Sequence, residues 1–415
     1  MLSKIKFYVT YDYFLEFVLS LFYLLTIFAS KIPASDSTFH LKLSIFPILF
    51  TISLLLFIIN NKNEIIILFS YKNLKALSLL LLLFILLHSL GLTYSINTEY
   101  GLQKFYGLLF NIIPIIIFTY FLIKTWNKRR TEAFLLSSSI LICLSVIYIL
   151  IISPFNYGNV RTISTNSWSH VYYGRFISLS FIVLSLIHFK NYNNPKKYIL
   201  FTLLIFTTIG TFLSGLRAAE IGIVLFTIYI AIYYYKKKEI KLNKIFGLFA
   251  ILIFSFTFVT YLSNNKLESR QNELVNLTHF ELNKISSLDA RIKGIEAGFT
   301  MFNEYPIIGV GLGGFNNSKY GDILSDIKYP HNIFFEYLFE YGTIGLIIFT
   351  IILFLLLKKI IRYSKVLSII FLFTIWLALF SHDISSQKEL YLFFVFYIID
   401  EKEFKRFYVN LCAVK

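Results

Sequence analysis

Long apolar runs separated by short polar stretches recur along almost the whole chain. Because the hydrocarbon core of a bilayer is about 30 Å thick, a helix needs about 20 mostly apolar residues to cross it. The pattern therefore predicts an all-α, polytopic integral membrane protein with about 12 transmembrane helices in a single membrane domain, residues 1–415. The predicted spans are 12–30, 43–59, 74–92, 105–123, 134–153, 171–188, 198–213, 218–235, 245–262, 333–357, 366–382 and a short one at 388–400.

The connections between these spans are short with one exception. The segment 263–332, between the ninth and tenth spans, has seven basic and eight acidic residues and is the one large outer loop. Within it, residues 288–302 carry apolar side chains at helical spacing, which predicts an amphipathic helix on the membrane surface or over a cavity. Asp289 suits the start of that helix and Pro306 lies beyond its end. The glycine-rich run 309–314 follows, and we interpret it as a flexible turn shaping a cavity wall.

Composition supports a membrane protein, and the charge distribution predicts its orientation. Hydrophobic residues make up 57% of the chain and charged residues 15%, against about 45–50% and 25% in soluble domains. Of the 39 basic residues, 25 fall on one side of the predicted spans, and seven of the remaining 14 lie in the long loop. The positive-inside rule then places both termini in the cytoplasm and the long loop outside. The net charge of +16 thus reflects topology, and a nucleic-acid-binding function is excluded.

Ionisable residues near the ends of spans are the candidates for chemistry, since such positions are costly in lipid. Arg217 lies between two spans beside the small residue Ser214, so a bulky anion could approach the backbone there, and a guanidinium suits bidentate phosphate recognition. The alternative is an arginine that reaches the interface and pairs with Glu220. Arg291 on the amphipathic helix would, by itself, be a solvated arginine.

Other outer residues allow two interpretations each. Arg161 and His170 could line a sugar site together with Arg175, but a simple loop would have the same composition. His331 is either an interfacial residue or a base for an acceptor hydroxyl. The run 309–314 is not a dinucleotide fingerprint, because it follows a helix rather than a strand.

Three motifs in order along the chain resemble the O-antigen ligase and polymerase superfamily of membrane glycosyltransferases. They are Ser214-Gly-Leu-Arg217, the helix opening with Asp289-Ala-Arg291, and Pro330-His331-Asn332 followed after nine residues by Gly342-Thr-Ile-Gly345. The number of predicted spans and the position of the large loop are also similar to that family. The motifs cover residues 214–345.

The resemblance implies a fold, an activity and a set of site residues. It implies transfer of a glycan from undecaprenyl diphosphate to a hydroxyl of lipid A-core, on the periplasmic face of the bacterial inner membrane, with inversion of the anomeric carbon. The predicted outer loops have no acidic pair or histidine cluster with metal-ligand spacing, so we expect no metal or other cofactor. It implies that Arg217, Arg291 and, less strictly, Arg161 bind the diphosphate and that His331 is catalytic. Ser214, Asn332 and His170 are possible supporting residues.

Two alternatives stay within the same superfamily: a repeat-unit polymerase of O-antigen or exopolysaccharide, and a protein O-oligosaccharyltransferase. An alternative of another class is a transporter or flippase of lipid-linked glycans. A transporter predicts charges near the bilayer midplane and repeats in the two halves of the chain. The sequence shows neither pattern, and its candidate residues cluster on one face.

Overall fold

The protein is helical throughout the part that a computed structural model describes, which is residues 11–28, 45–61, 71–152, 170–190, 197–237, 242–262, 286–320, 328–380 and 382–412. No strand occurs among these residues, so the all-α prediction is confirmed. The main helices are α1 (Tyr11–Phe28), α2 (Ile45–Asn60), α3 (Tyr71–Thr93), α4 (Thr98–Lys124, with a π turn at Leu108–Ile112), α5 (Lys128–Ile152), α6 (His170–Lys190), α7 (Lys197–Ser214), α8 (Arg217–Lys236), α9 (Leu242–Leu262), α10 (Ser286–Glu304), α11 (Ile333–Tyr363) and α12 (Lys365–Ala378).

Seven of these helices are long and apolar enough to cross a membrane: α3, α4, α5, α6, α8, α9 and α11. The shorter apolar helices α1, α2, α7 and α12 coincide with four further predicted spans. Leu83, Phe110, Ile253 and Phe354 are each more than half exposed on the outside of the bundle. So much exposed apolar surface is stable in lipid and not in water. The chain is a multi-pass membrane protein, and the count of 12 spans stays a prediction.

The twelfth predicted span, 388–400, is not one continuous helix. It forms two short helices, α13 (Lys388–Leu392) and α14 (Val395–Ile398), after a 3₁₀ turn at Ile384–Ser386. Most of this segment is buried, and α13 packs against α4 and α12. Its residues are apolar because they lie inside protein, where irregular backbone is tolerated at membrane depth. Helix α15 (Glu401–Cys412) ends the described chain.

The predicted amphipathic helix forms as α10 and packs on α11. The glycine-rich run after it is a packed turn and not a flexible one, because residues 309–315 are buried. Val310 N donates to Phe339 O at 3.0 Å and Gly311 N to Glu340 O at 2.9 Å. The turn thus bonds to carbonyl groups of α11 at the point where that helix is broken.

The break in α11 lies at Gly342, the first glycine of the Gly-x-x-Gly motif. Its φ of 65° and ψ of −165° are not helical. The neighbouring N–H groups of Thr343 and Ile344 donate to Pro306 O and Ile307 O at 2.9 and 3.2 Å. A Cβ atom at residue 342 would lie 2.3 Å from Ile307 O. The motif is therefore a structural requirement for joining the outer segment to α11.

We expect Gly342→Ala to lower the melting temperature of the detergent-purified protein. A backbone with positive φ and ψ near 180° is essentially restricted to glycine and costs another residue about 1–3 kcal/mol, before the clash with backbone is counted. Gly247→Ala is the matched control, because nothing lies within 4 Å of a Cβ at that helical position. It should be neutral or slightly stabilising, since alanine favours helix over glycine by about 1 kcal/mol. Equal melting temperatures for the two variants would contradict this account of the motif.

Candidate active site

Arg217 is the first residue of α8, directly after a tight turn from α7. The turn depends on Gly215, with φ of 63°, and on the Ser214 hydroxyl, which donates to Thr211 O at 2.6 Å and accepts from Leu216 N at 3.2 Å. Ser214 therefore shapes the turn that presents Arg217. A cation at a helix N-terminus is disfavoured by the helix dipole, while an anion is favoured there. This position suits an arginine whose partner is an anionic ligand.

Arg291, in the second turn of α10, lies within electrostatic reach of Arg217. Burial and the positive charge of Arg217 lower the pKa of the Arg291 guanidinium, while Tyr329 raises it. Arg217 and Arg291 are 74 positions apart in sequence, yet the fold brings their guanidinium groups into one region. Their repulsion costs free energy in the unliganded protein, and an anion bound between them would offset that cost.

His331 lies within electrostatic reach of Arg291, in the turn that leads into α11. Its φ of 56° is unusual for a residue other than glycine, and such backbone strain clusters at functional sites. The next residue, Asn332, caps α11: its side chain accepts from Phe334 N at 2.9 Å and from Phe335 N at 3.2 Å. Asn332 therefore fixes the backbone that carries His331.

Burial and the positive charge of Arg291 lower the pKa of His331 to about 4, against the attraction of Asp383, which raises it. The imidazole is therefore neutral at neutral pH and able to accept a proton. The Tyr329 ring packs against that of His331, with the ring centroids 4.4 Å apart. Burial and the negative charge of Asp383 raise the pKa of Tyr329, which keeps it a neutral phenol.

Asp383 is a site residue that sequence reasoning did not single out. It is 3% exposed and accepts from the Ser385 hydroxyl at 2.9 Å. Its neighbour His382 also has a positive φ, of 65°, and packs its ring 4.2 Å from that of Tyr172. We call Arg217, Arg291, Tyr329, His331 and Asp383 the arginine–histidine cluster. The one indication in the sequence is that eight of the nine residues from 381 to 389 are polar, between two apolar stretches.

The other residues that the sequence suggests for the site, Arg161, His170 and Arg175, are not part of this cluster. Arg161 lies outside the described residues, and His170 is the first residue of α6. Arg175, fully buried in α6, bonds Glu389 at 3.0 and 3.2 Å and Gln387 at 2.8 Å. It therefore anchors the segment after Asp383. Among the residues that the structure describes, no group of three or more His, Cys, Asp or Glu could hold a metal ion.

These observations define a class: a helical membrane protein with two partly buried arginines and a neutral histidine at one end of its bundle. A family model described as O-Antigen ligase matches residues 201–350, the region that holds Arg217, Arg291 and His331. This match agrees with the resemblance that the sequence motifs indicate over the same region. The chain is therefore a multi-pass membrane protein with a region similar to O-antigen ligases. A comparison with curated proteins gives no match.

Proposed function

We propose that this protein is a membrane glycosyltransferase that moves a glycan from undecaprenyl diphosphate to an acceptor hydroxyl, with lipid A-core as the acceptor. The observation that carries the proposal is the convergence of Arg217, Arg291 and His331 from three separate elements. The family match over residues 201–350 supports it. Two cations and one neutral base are the groups that displacement of a diphosphate by a hydroxyl requires.

The arginines would act on the leaving group. As the acceptor oxygen forms a bond to the anomeric carbon, the bond from that carbon to the diphosphate oxygen breaks. The electron pair of the broken bond stays on the diphosphate, where Arg217 and Arg291 stabilise the growing charge. Such preorganised stabilisation is often the largest catalytic contribution. A single displacement of this kind inverts the anomeric configuration and leaves undecaprenyl diphosphate as the second product.

His331 would take the proton of the acceptor hydroxyl as the new bond forms, which is general base catalysis. Its low pKa keeps it neutral but makes it a weak base in the free protein. Because repulsion from Arg291 contributes to the low pKa, a bound diphosphate anion would raise the pKa again. The donor would thus strengthen the base at the moment when it is needed.

This coupling predicts a difference between two pH profiles. The base must be neutral to work, so activity falls as pH drops below its pKa. For kcat/KM, which reports the free protein, the fall should come near pH 4, the pKa of His331. For kcat, which reports the donor complex, it should come at higher pH. Samples returned to neutral pH before assay control for acid unfolding. Coincident falls near pH 6.5 would contradict the coupling.

We also propose that the arginine–histidine cluster faces the periplasm and that both termini are cytoplasmic. The charge distribution of the sequence supports this orientation. Reporter fusions at Lys128, Lys197, Lys238 and Lys359 should report the cytoplasm, and a fusion at Asn317 should report the periplasm. A cytoplasmic signal at Asn317 would separate the cluster from a donor whose glycan is presented outside.

The polymerase and the protein O-oligosaccharyltransferase differ from the ligase in acceptor. The lipopolysaccharide gel pattern of a deletion strain distinguishes the three enzymes. A ligase predicts loss of all long chains with accumulation of lipid-linked polymer. A core that carries one repeat unit would show a polymerase, and an unchanged pattern with loss of a glycoprotein would show protein glycosylation.

A transporter receives less support from the positions of the buried charges. Lys104 lies in the second turn of α4, and Glu336 and Glu340 lie in the first two turns of α11. At 1.5 Å per residue, these side chains are attached within roughly 12 Å of the helix ends. Arg130 and Glu16 pair at the opposite end, where α5 begins. These charges lie toward the two ends of the bundle, whereas a transport site lies near the midplane.

A further inference from the structure

Three charged residues form a fully buried cluster next to the candidate site. The Lys104 ammonium lies 2.5 Å from Glu336 Oε1 and 2.5 Å from Glu340 Oε1, and all three side chains are 0% exposed. We call these residues the lysine–glutamate cluster. Buried ions are retained only when they are paired and hydrogen-bonded. The cluster joins α4 to the first turns of α11, directly after His331.

Glu336 also connects this cluster to the segment that carries Asp383. Its second oxygen, Oε2, accepts a hydrogen bond from Ile384 N at 2.9 Å. The segment has irregular backbone and is buried, so its N–H groups need acceptors. A carboxylate is a strong one, because charge-assisted hydrogen bonds are about twice as strong as neutral ones. Glu336 thus bonds the residue adjacent to Asp383 while Lys104 fixes Glu336 from the other side.

We propose that Glu336, held by Lys104, is a positioning residue that fixes Asp383 beside His331. Arg175 anchors the far end of the same segment through Gln387 and Glu389. With both anchors in place, the negative charge of Asp383 is held at one distance from the histidine. The consequence for catalysis rests on the proposed function, but the consequence for the segment does not.

The position of the segment can be measured without any activity. Ser385 is 0% exposed, so Ser385→Cys in a background with Cys143→Ser and Cys412→Ser should react slowly with a water-soluble maleimide. Adding Glu336→Ala should raise the labelling rate at least tenfold. Glu16→Ala is the matched control, because Glu16 forms a buried ion pair with Arg130 at 2.7 Å at the opposite end of the bundle. It should leave the rate unchanged.

Glu336→Ala and Glu16→Ala, each made without Ser385→Cys, test the effect of the segment on the rate of glycan transfer. Glu336→Ala should lower kcat at least tenfold while the KM for the lipid-linked donor changes less than twofold, since the arginines still bind the donor. Glu16→Ala should destabilise the protein yet keep the kcat of the folded fraction. If Glu336→Ala fails to fold, Glu336→Gln serves in both assays, with smaller effects in the same direction.

Unchanged labelling of Ser385→Cys in the Glu336 variants would overturn the proposal whatever the kinetics. Increased labelling with an unchanged kcat would also overturn it, since the segment would then move without consequence for His331. A wild-type protein with no transferase activity would refute the proposed function instead, and the labelling result would still decide whether Glu336 positions the segment.

Discussion

Arg291→Ala should lower the rate of glycan transfer at least a hundredfold while the protein still inserts and folds. Removing one preorganised group that stabilises transition-state charge typically costs about 10²–10³ in rate. Arg291 is also the residue whose charge reaches both Arg217 and His331. Its loss therefore weakens the diphosphate site and changes the environment of the base. Arg217→Ala should have an effect of the same order.

Lys293→Ala is the matched control for Arg291→Ala. It removes a positive charge from an exposed position of the same helix, two residues away, and should leave transfer within about twofold, as exposed charge pairs contribute little. Arg291→Lys should rescue poorly, because an ammonium lacks the planar fork that binds two phosphate oxygens. Near-normal activity of Arg291→Lys would show that simple electrostatic attraction suffices and that the bidentate assignment is wrong.

His331→Ala should abolish transfer yet leave donor binding intact. A general base contributes about 10²–10⁴ in rate, and the arginines that would hold the donor belong to other elements. His188→Ala is the matched control, because it makes the same histidine-to-alanine change near the C-terminal end of α6. It should retain activity. Intact binding with transfer reduced less than about tenfold would exclude His331 as the base. Loss of binding and transfer together would assign His331 to the donor site.

The sequence predicts the helices well because lipid imposes a simple rule on them. An apolar run of about 20 residues has few structures available in a bilayer, so eleven predicted spans coincide with helices. The rule fails at 388–400, because hydropathy does not distinguish a segment buried in protein from one that faces lipid. Lys388 and Glu389 in that segment are the residues that indicate the difference, and both are buried.

The site is predictable only where a motif marks it. The motifs mark Arg217, Arg291 and His331, and the structure brings these three together, although their roles stay proposals. Glu336 and Glu340 were visible only as interruptions of a span, since their partner Lys104 lies 232 and 236 residues away. Asp383 is 52 residues from His331. Such pairings depend on how helices pack, which one sequence does not specify.

The most direct test of the central claim uses the purified protein in liposomes with an undecaprenyl diphosphate-linked glycan and a lipid A-core acceptor. Both products should be measured, the elongated acceptor and the released undecaprenyl diphosphate, with Arg291→Ala as the negative control. The account predicts that the wild type forms the two products in equal amounts and that the variant forms both at least a hundredfold more slowly. Movement of intact donor across the bilayer without formation of either product would contradict it and would favour a transporter.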